Sequence, residues 1–467
     1  MARLAGLRPI VGRLLGSGHL LSVSLVAASC AVGQAAILTR RPLIFQLPDS
    51  SSYITLGARL ANQPNLGNLF DAYRTPGYPV FLALIGAVQG GVPGTWVVYA
   101  QAGLMVVTAF ELYVLIFGLT SSRTAAAVGG ILFGSNVRLL DWERLIMTES
   151  LAIFLVMTIV LAFWLWMLHR SASWAVVFGV ASILAVLTRP SLVYLPVCLL
   201  AVVLVSDRRR WLPVLMVAAS IYLPVLGYGV INDRLYPHAG LSAVGNINLL
   251  GKVLEYGMQN GGDAARFPAL WQGITSLPSG DHDPYDILKG NPAAMGTNYA
   301  DASAFSRAII ERHPLEYLIK SAGDFFAGWL AVPYAYIPGG AYQWVAQGLA
   351  TYALAAYAAY PALPLAVIAL IVLWPRLERQ VALGIAGLFL VVAGSLGTTA
   401  VFSYVDFARL RTPVDAVALA SVIAVLSLVM RRLPGAVQDL SAHAWWTLSR
   451  DRARGRPSSN RGTDWLG

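Results

Sequence analysis

Five short segments of this chain carry acids and arginines where apolar runs begin or end. They are "FQLPDSSSY" with Asp49 and Tyr53, "YRTPGYP" with Arg74 and Tyr78, "LIMTES" with Glu149, "LTRPS" with Arg189, and "YVDFARLRTP" with Arg409 and Arg411. A carboxylate held beside a hydroxyl takes its proton as a general base. Arginine presents a planar fork of donors that grips phosphate oxygens in pairs and stabilises negative charge developing on them. The two residue types together point to chemistry on a phosphate-bearing substrate, provided the fold brings the five segments to one place.

The elements that must do so are apolar. Of 467 residues, 57% are hydrophobic and 12% charged, against about 25% charged in an ordinary soluble chain, which makes this a polytopic membrane protein. Arginine far outnumbers lysine, and Ala, Gly and Val abound, a bias that fits a bacterial coding sequence. The net charge of +10 reads as loop charge plus a basic tail. No basic, aromatic-interleaved soluble stretch exists to make a nucleic-acid surface, so no nucleic-acid partner is expected. Cys30 and Cys198 fall inside apolar runs, where neither staples an outward loop. "VAASC" at 26–30 is loosely like a lipoprotein cleavage box, but 20–38 reads as an uncleaved first span.

Apolar runs of spanning length lie near 18–38, 95–118, 124–140, 146–168, 173–188, 190–206, 211–232, 350–374, 380–402 and 412–430. Two further runs, 78–92 and 315–335, are shorter or broken by charge. With the basic N-terminus placed in the cytoplasm and these two left uncounted, His169-Arg170, Arg208–Arg210, Arg376/Arg379 and Arg431-Arg432 all fall inside. The two uncounted runs then read as amphipathic helices along the outer membrane surface. The expected fold is an all-α polytopic membrane protein: about ten transmembrane helices, extracytoplasmic juxtamembrane helices and a small outward lobe. The divisions are a transmembrane module over 1–232 with its first outward loop at 39–94, an outward lobe and interfacial helix over 233–349, C-terminal spans over 350–432, and a disordered basic tail over 433–467. Both termini are expected in the cytoplasm of a bacterium, with the site facing outward across the inner membrane.

This topology gathers the five segments at one membrane face. Each of their residues also has a plainer reading. Asp49, after Pro48 and before three serines, is placed to cap a surface helix, whose next turns put Tyr53 and Gly57 on its face. Glu149 at a helix start suits the dipole. Arg189, Arg409 and Arg411 suit snorkelling at an interface. "DHDPYD" at 281–286 has the residues of a metal loop, but its spacing and Pro284 favour a solvated turn. Glu111, inside the second span, is assigned no role.

For acids and arginines at a membrane surface, the fitting substrate is a sugar on a polyprenyl phosphate. Its reacting carbon lies at headgroup level, and its phosphate leaves without needing a proton. One carboxylate then serves as base for the acceptor hydroxyl, and a second orients the acceptor or holds a divalent metal.

The order of motifs resembles one family: an acid after the first span, "R-x-P-G-Y-P", "T-E" at the fourth span, and "T-R-P" between the fifth and sixth. It resembles the GT-C superfamily of integral-membrane glycosyltransferases, nearest the protein mannosyltransferase and aminoarabinose lipid A transferase-like group. The matches cover residues 1 to about 232; beyond that only "RLRTP" fits the layout. The resemblance implies Asp49 as catalytic acid-base residue, Glu149 as second acid with Asp141 as fallback, and substrate binding by Arg74 and Arg189. Tyr53, Tyr78, Arg409 and Arg411 complete the expected binding set. "PDSSSY" lacks the second acid often found beside the first, so no metal ligands are assigned, and a divalent metal stands only as a possible cofactor. The expected activity is sugar transfer, with inversion, from a polyprenyl-phosphate donor to an extracytoplasmic glycan, lipid or protein acceptor, with membrane lipids as further partners. The alternatives are a transporter or flippase of lipid-linked sugar, whose inverted repeats and mid-membrane charges are not seen, and a non-catalytic assembly subunit.

Overall fold

The computed structural model describes residues 17–38, 44–86, 94–278, 280–333, 343–404 and 406–432; the N-terminal lead and the 433–467 tail lie outside them. Apolar segments in hydrocarbon must satisfy every backbone group internally, which leaves the helix as their form. The first half of the chain runs α1 (Ser17–Leu38), α2 (Ser50–Asn62), α3 (Gly77–Leu84), α4 (Trp96–Thr120), α5 (Arg123–Gly134), α6 (Glu149–His169), α7 (Ala172–Thr188), α8 (Tyr194–Ser206) and α9 (Trp211–Leu235). A lobe follows with α10 (Val244–Glu255), α11 (Pro268–Thr275), α12 (Pro284–Gly290) and α13 (Ala300–Arg312). Then come α14 (Pro314–Leu330), α15 (Gln343–Tyr352), α16 (Ala359–Leu373) and α17 (Arg379–Phe402), and last α18 (Phe407–Arg432). Among the described residues the only β pairing is an isolated bridge between Phe45 and Leu145.

Seven helical stretches among the described residues are long and apolar enough to cross a bilayer, and α7 and the Pro190–Ser206 stretch are shorter apolar helices. All ten apolar runs expected from the sequence are helical. The run at 124–140 is not continuous, however. Its helix stops at Gly134, and Asn136 caps a separate single turn, Val137–Leu140, by accepting from Arg138 N. The run at 78–92 yields only the eight residues of α3, about 12 Å of helix and far short of a span; 87–93 lies outside the described residues.

The most buried helix is α6, against which α4, α7 and α18 pack. Glycines let its tryptophan in. A Cβ added at Gly118 or Gly384 would stand 2.6 Å from the Trp164 indole. A small-residue face on α5 likewise meets α1, where a Cβ at Gly134 would stand 2.7 Å from Cys30 Sγ.

The helix ends sort into two groups. At one end lie Asp49, Glu149, Arg189 and Arg409. At the other, Arg170 pairs with Asp207, Arg379 donates to the Val205 carbonyl, and Arg432 to the Arg376 carbonyl. The alternation inferred from loop charge is therefore matched by which ends touch.

The lobe has its own core of Ile247, Leu250, Leu254, Met295, Phe305 and Ile309. It docks on the first loop through Ala243 N to the Ala72 carbonyl at 2.8 Å. Helix α14 carries an exposed apolar stripe of Leu315, Leu318, Ile319, Phe326 and Leu330, as a membrane-facing helix requires. Its other face docks on α17, Tyr317 Oη donating to the Val401 carbonyl. The charges that break this run have partners: Asp324 pairs with Lys252 of α10, and Lys320 donates to the Tyr256 carbonyl.

This arrangement predicts sidedness. In a background with both native cysteines replaced, Arg208→Cys and Lys289→Cys should label from opposite faces of sealed vesicles with an impermeant maleimide. Labelling from the same face would overturn the alternation.

Candidate active site

The chain leaves α1 and is at once pinned to the segment entering α6. Phe45 N donates to the Arg144 carbonyl at 2.8 Å, Ile146 N to the Phe45 carbonyl at 3.3 Å, and the Arg144 guanidinium lies 4.6 Å over the Phe45 ring. This short pairing fixes Asp49, four residues on, relative to Glu149. The loop carrying Arg74 is set by Asp71, whose carboxylate accepts from Tyr73 N and Arg74 N at 2.8 and 3.0 Å. Asp71 also pairs with Arg59 at 3.7 Å. Arg59 and Asp71 therefore build the turn, and Asp49 and Arg74 face each other.

Arg74 Nη2 meets Asp49 Oδ1 at 2.8 Å, Nε donates to Ser52 Oγ at 2.8 Å, and the guanidinium lies 4.5 Å over the Tyr53 ring. Arg409 divides its fork between two acids: Nε to Glu149 Oε1 at 2.7 Å and Nη2 to Asp49 Oδ2 at 3.2 Å. Arg189 Nη1 reaches the same Glu149 oxygen at 3.4 Å, and Asp406 flanks Arg409 at 3.8 Å. Three arginines thus face three carboxylates drawn from five separate segments.

The plainer readings of these residues can be checked one by one. Asp49 occupies the N-cap position of α2, but its side chain makes no capping bond; the carboxylate is spent on Arg74 and Arg409. Arg189 does not snorkel, because its side chain is 9% exposed and held at Glu149. The two acids differ in access: the Asp49 side chain is 35% exposed, that of Glu149 0%.

Not every expected residue joins the cluster. Arg411 is fully buried elsewhere, pairing with Asp415 at 3.1 Å, donating to the Gly328 and Trp329 carbonyls, and stacking 3.7 Å over Tyr360. It ties α18 to α14 and α16. Tyr78 is buried beneath Tyr53, ring centroids 5.3 Å apart, and donates to Gln101. Asp141 pairs with Arg144 at 3.7 Å. Glu111 accepts from Thr158 at 2.8 Å, a polar contact between α4 and α6. In "DHDPYD", Asp283 caps α12 and Asp286 pairs with Lys289, as a solvated turn would.

Ser52, Asp406 and the lobe's Tyr285 were not singled out by sequence. Asp406 sits at φ +59°, a conformation that Asp tolerates better than most residues. Burial first, and then the negative charge of Asp49, push the Tyr285 hydroxyl up to about 12, which sets this lobe residue within the field of the cluster.

Burial acts to raise the Asp49 pKa, but the Arg74 and Arg409 guanidiniums outweigh it and hold the carboxyl below its usual range. Asp406 is raised by burial, only partly opposed by Arg409. The acids do not fit a divalent cation as arranged, because Arg409 fills the position between Asp49 and Glu149 that a metal would share. Among the described residues no group of three or more His, Cys, Asp or Glu is placed to hold a metal ion.

No protein-family model and no curated protein matches the chain. It is similar to solved structures. One is the archaeal oligosaccharyltransferase AglB from Archaeoglobus fulgidus, in complex with an inhibitory peptide and a dolichol-phosphate: 14% identity, 90% of this chain and 52% of that one, TM-score 0.45. Another is ArnT from Cupriavidus metallidurans bound to undecaprenyl phosphate: 15% identity, 82% of this chain and 78% of that one, TM-score 0.37. The chain spans about half the length of the oligosaccharyltransferase.

The lowered Asp49 pKa has a signed consequence. A carboxyl depressed on folding contributes stability above its unfolded pKa, and that contribution is lost as pH falls through the folded value. Wild type should therefore melt above Asp49→Asn at neutral pH, with the gap closing only as pH falls below the ordinary aspartate range and through the lowered folded value. A pH-independent gap in melting scans would contradict the pairing.

Proposed function

We propose that the chain is a glycosyltransferase that moves a sugar from a polyprenyl-phosphate carrier to a hydroxyl-bearing acceptor outside the membrane. The observation that carries this reading is the pairing of a partly exposed acid, Asp49, with Arg74 and Arg409, the latter linked through Glu149 to Arg189, at one end of a membrane bundle. Arg74, Arg409 and Arg189 accept the carrier phosphate in their forks. Tyr53 and Ser52 keep Arg74 in plane, and Glu149, wholly buried, positions Arg189 and Arg409 without itself reaching substrate.

Asp49 acts as base. Its carboxylate takes the proton of the acceptor hydroxyl as the acceptor oxygen bonds to the anomeric carbon. The bond from that carbon to the phosphate oxygen breaks on the opposite side, and the phosphate leaves as an anion held by the arginines. One in-line displacement inverts the sugar carbon. A phosphate that enters the cradle draws Arg74 and Arg409 away from Asp49, so the acid recovers basicity only when the donor is bound.

Asp49→Asn keeps the size of the side chain and removes its basicity. Carrier binding should survive while transfer, read by mass detection of product or by slow release of free sugar, falls by about 10²- to 10⁴-fold. Wild-type turnover in this variant would end the assignment. A transporter would move lipid-linked sugar and form no product in either form.

Arg74→Lys keeps charge and loses the fork, so it should bind carrier more weakly than wild type but better than Arg74→Ala. For Arg74→Ala the loss is about 1.5–3 kcal/mol, the size of one charge-assisted contact. Equal carrier affinity in Arg74→Ala and wild type would remove Arg74 from the cradle.

A further inference from the structure

At the end of the bundle opposite the acid–arginine cluster, a cavity of about 790 Å³ opens beside α8, α9 and α17, lined by Arg208, Arg209, Arg379, Asp207 and Trp211. Its one carboxylate is already engaged. Asp207 meets Arg170 at 3.9 Å and Arg210 at 3.8 Å, and caps the turn at Arg209 N. Arg379 spends one donor on the Val205 carbonyl at 2.9 Å. Neither Arg208 nor Arg209 has an ion-pair partner among the described residues, and both are exposed.

Positive charge at this end follows from loop asymmetry alone. Guanidiniums bordering a void with uncommitted donors do not. They make a receptor for an oxyanion, most readily a phosphate. What adjoins the void is apolar: Trp211 at the rim is 60% exposed, and Leu212, Leu215 and Met216 continue along α9 at 49%, 56% and 65% exposure. An indole at this position is suited to the headgroup level, and the exposed apolar side chains beside it are suited to acyl chains.

We propose that this cavity binds the phosphate of an anionic phospholipid, with Arg208, Arg209 and Arg379 as donors and the acyl chains along α9. Basic pockets between helices at a membrane surface are known to take such headgroups. The site is separate from the transfer chemistry proposed above and stands whether or not that reading holds.

The test uses the full-length protein in neutral detergent, offered dioleoylphosphatidylglycerol, dioleoylphosphatidylcholine or inorganic phosphate. Retained lipid is counted by native mass spectrometry, and melting is followed in parallel. Wild type should retain phosphatidylglycerol in preference to phosphatidylcholine and melt higher with it. The Arg208→Gln/Arg209→Gln variant should lose about 10- to 30-fold in affinity for that lipid. Arg379→Gln, a second and separate variant, should shift in the same direction. Equal retention of the two lipids by wild type, or unchanged retention in both variants, would overturn the site. If inorganic phosphate alone reproduced the whole melting shift and displaced the lipid, the cavity would be a site for a soluble anion and the lipid assignment would fall.

Discussion

The guanidinium of Arg409, divided between Asp49 and Glu149, is the contact on which one end of the bundle depends. It joins the first loop, the start of α6 and the start of α18, and through Glu149 it reaches Arg189 at the end of α7. Charges in a poorly solvated site are costly unless each has a partner, and removing one member leaves the others unpaired. The apolar helices can pack in many registers that lipid would tolerate equally. The charged cluster does not tolerate them, because a one-residue slip of α18 turns Arg409 away from both acids. Specificity of helix register at this end is thus set by electrostatics.

A second buried pair keys the lobe to the same place. Lys252 of α10 is fully buried, pairs with Asp324 of α14, and lies 4.6 Å over the ring of Phe407, two residues before Arg409. Asp406, the residue just before Phe407, takes the left-handed backbone conformation and faces Arg409. The turn into α18 is therefore held from both sides, by the lobe through Phe407 and by the bundle through Arg409. Positions of this kind store backbone strain that the surroundings must maintain. Here the surroundings are two buried ion pairs.

How much of this was legible in the sequence varies with the kind of signal. Apolar runs announce helices strongly, and all ten were helical; the break at Ser135-Asn136 was hidden because a capping Asn inside an apolar stretch does not lower its hydropathy much. Which helix ends lie together was legible because loop charge is a sum over many residues. Roles were harder. "RLR" offers two arginines, and residues two apart on a helix point to different sides, so only one can face the cluster; nothing local says that Arg409 does and that Arg411 instead stacks on Tyr360. The same holds for Tyr53 and Tyr78. Asp49 was placed by sequence to cap α2, and the structure has it at the cap position without the capping bond, its carboxylate on Arg74 and Arg409 instead. Ser52 and Asp406 carry no signal in sequence, because their partners are set by tertiary contacts.

The balance of charge bears on how one cluster can be both stable and reactive. Three arginines and three carboxylates need no ligand to offset them, which suits a site that must persist between substrates. The same pairing weakens Asp49 as a base, because each guanidinium favours its ionised form. Under the proposed chemistry the carrier phosphate resolves the conflict. It competes for donors on Arg74 and Arg409, and Asp49 is the acid best placed to give them up, since its side chain is 35% exposed and that of Glu149 is buried. Glu149 cannot be released without stranding a charge in the protein interior. Under that proposal the difference in burial divides the work between the two acids: the buried one holds the arginines in every state, and the open one is freed by the substrate it is to act on.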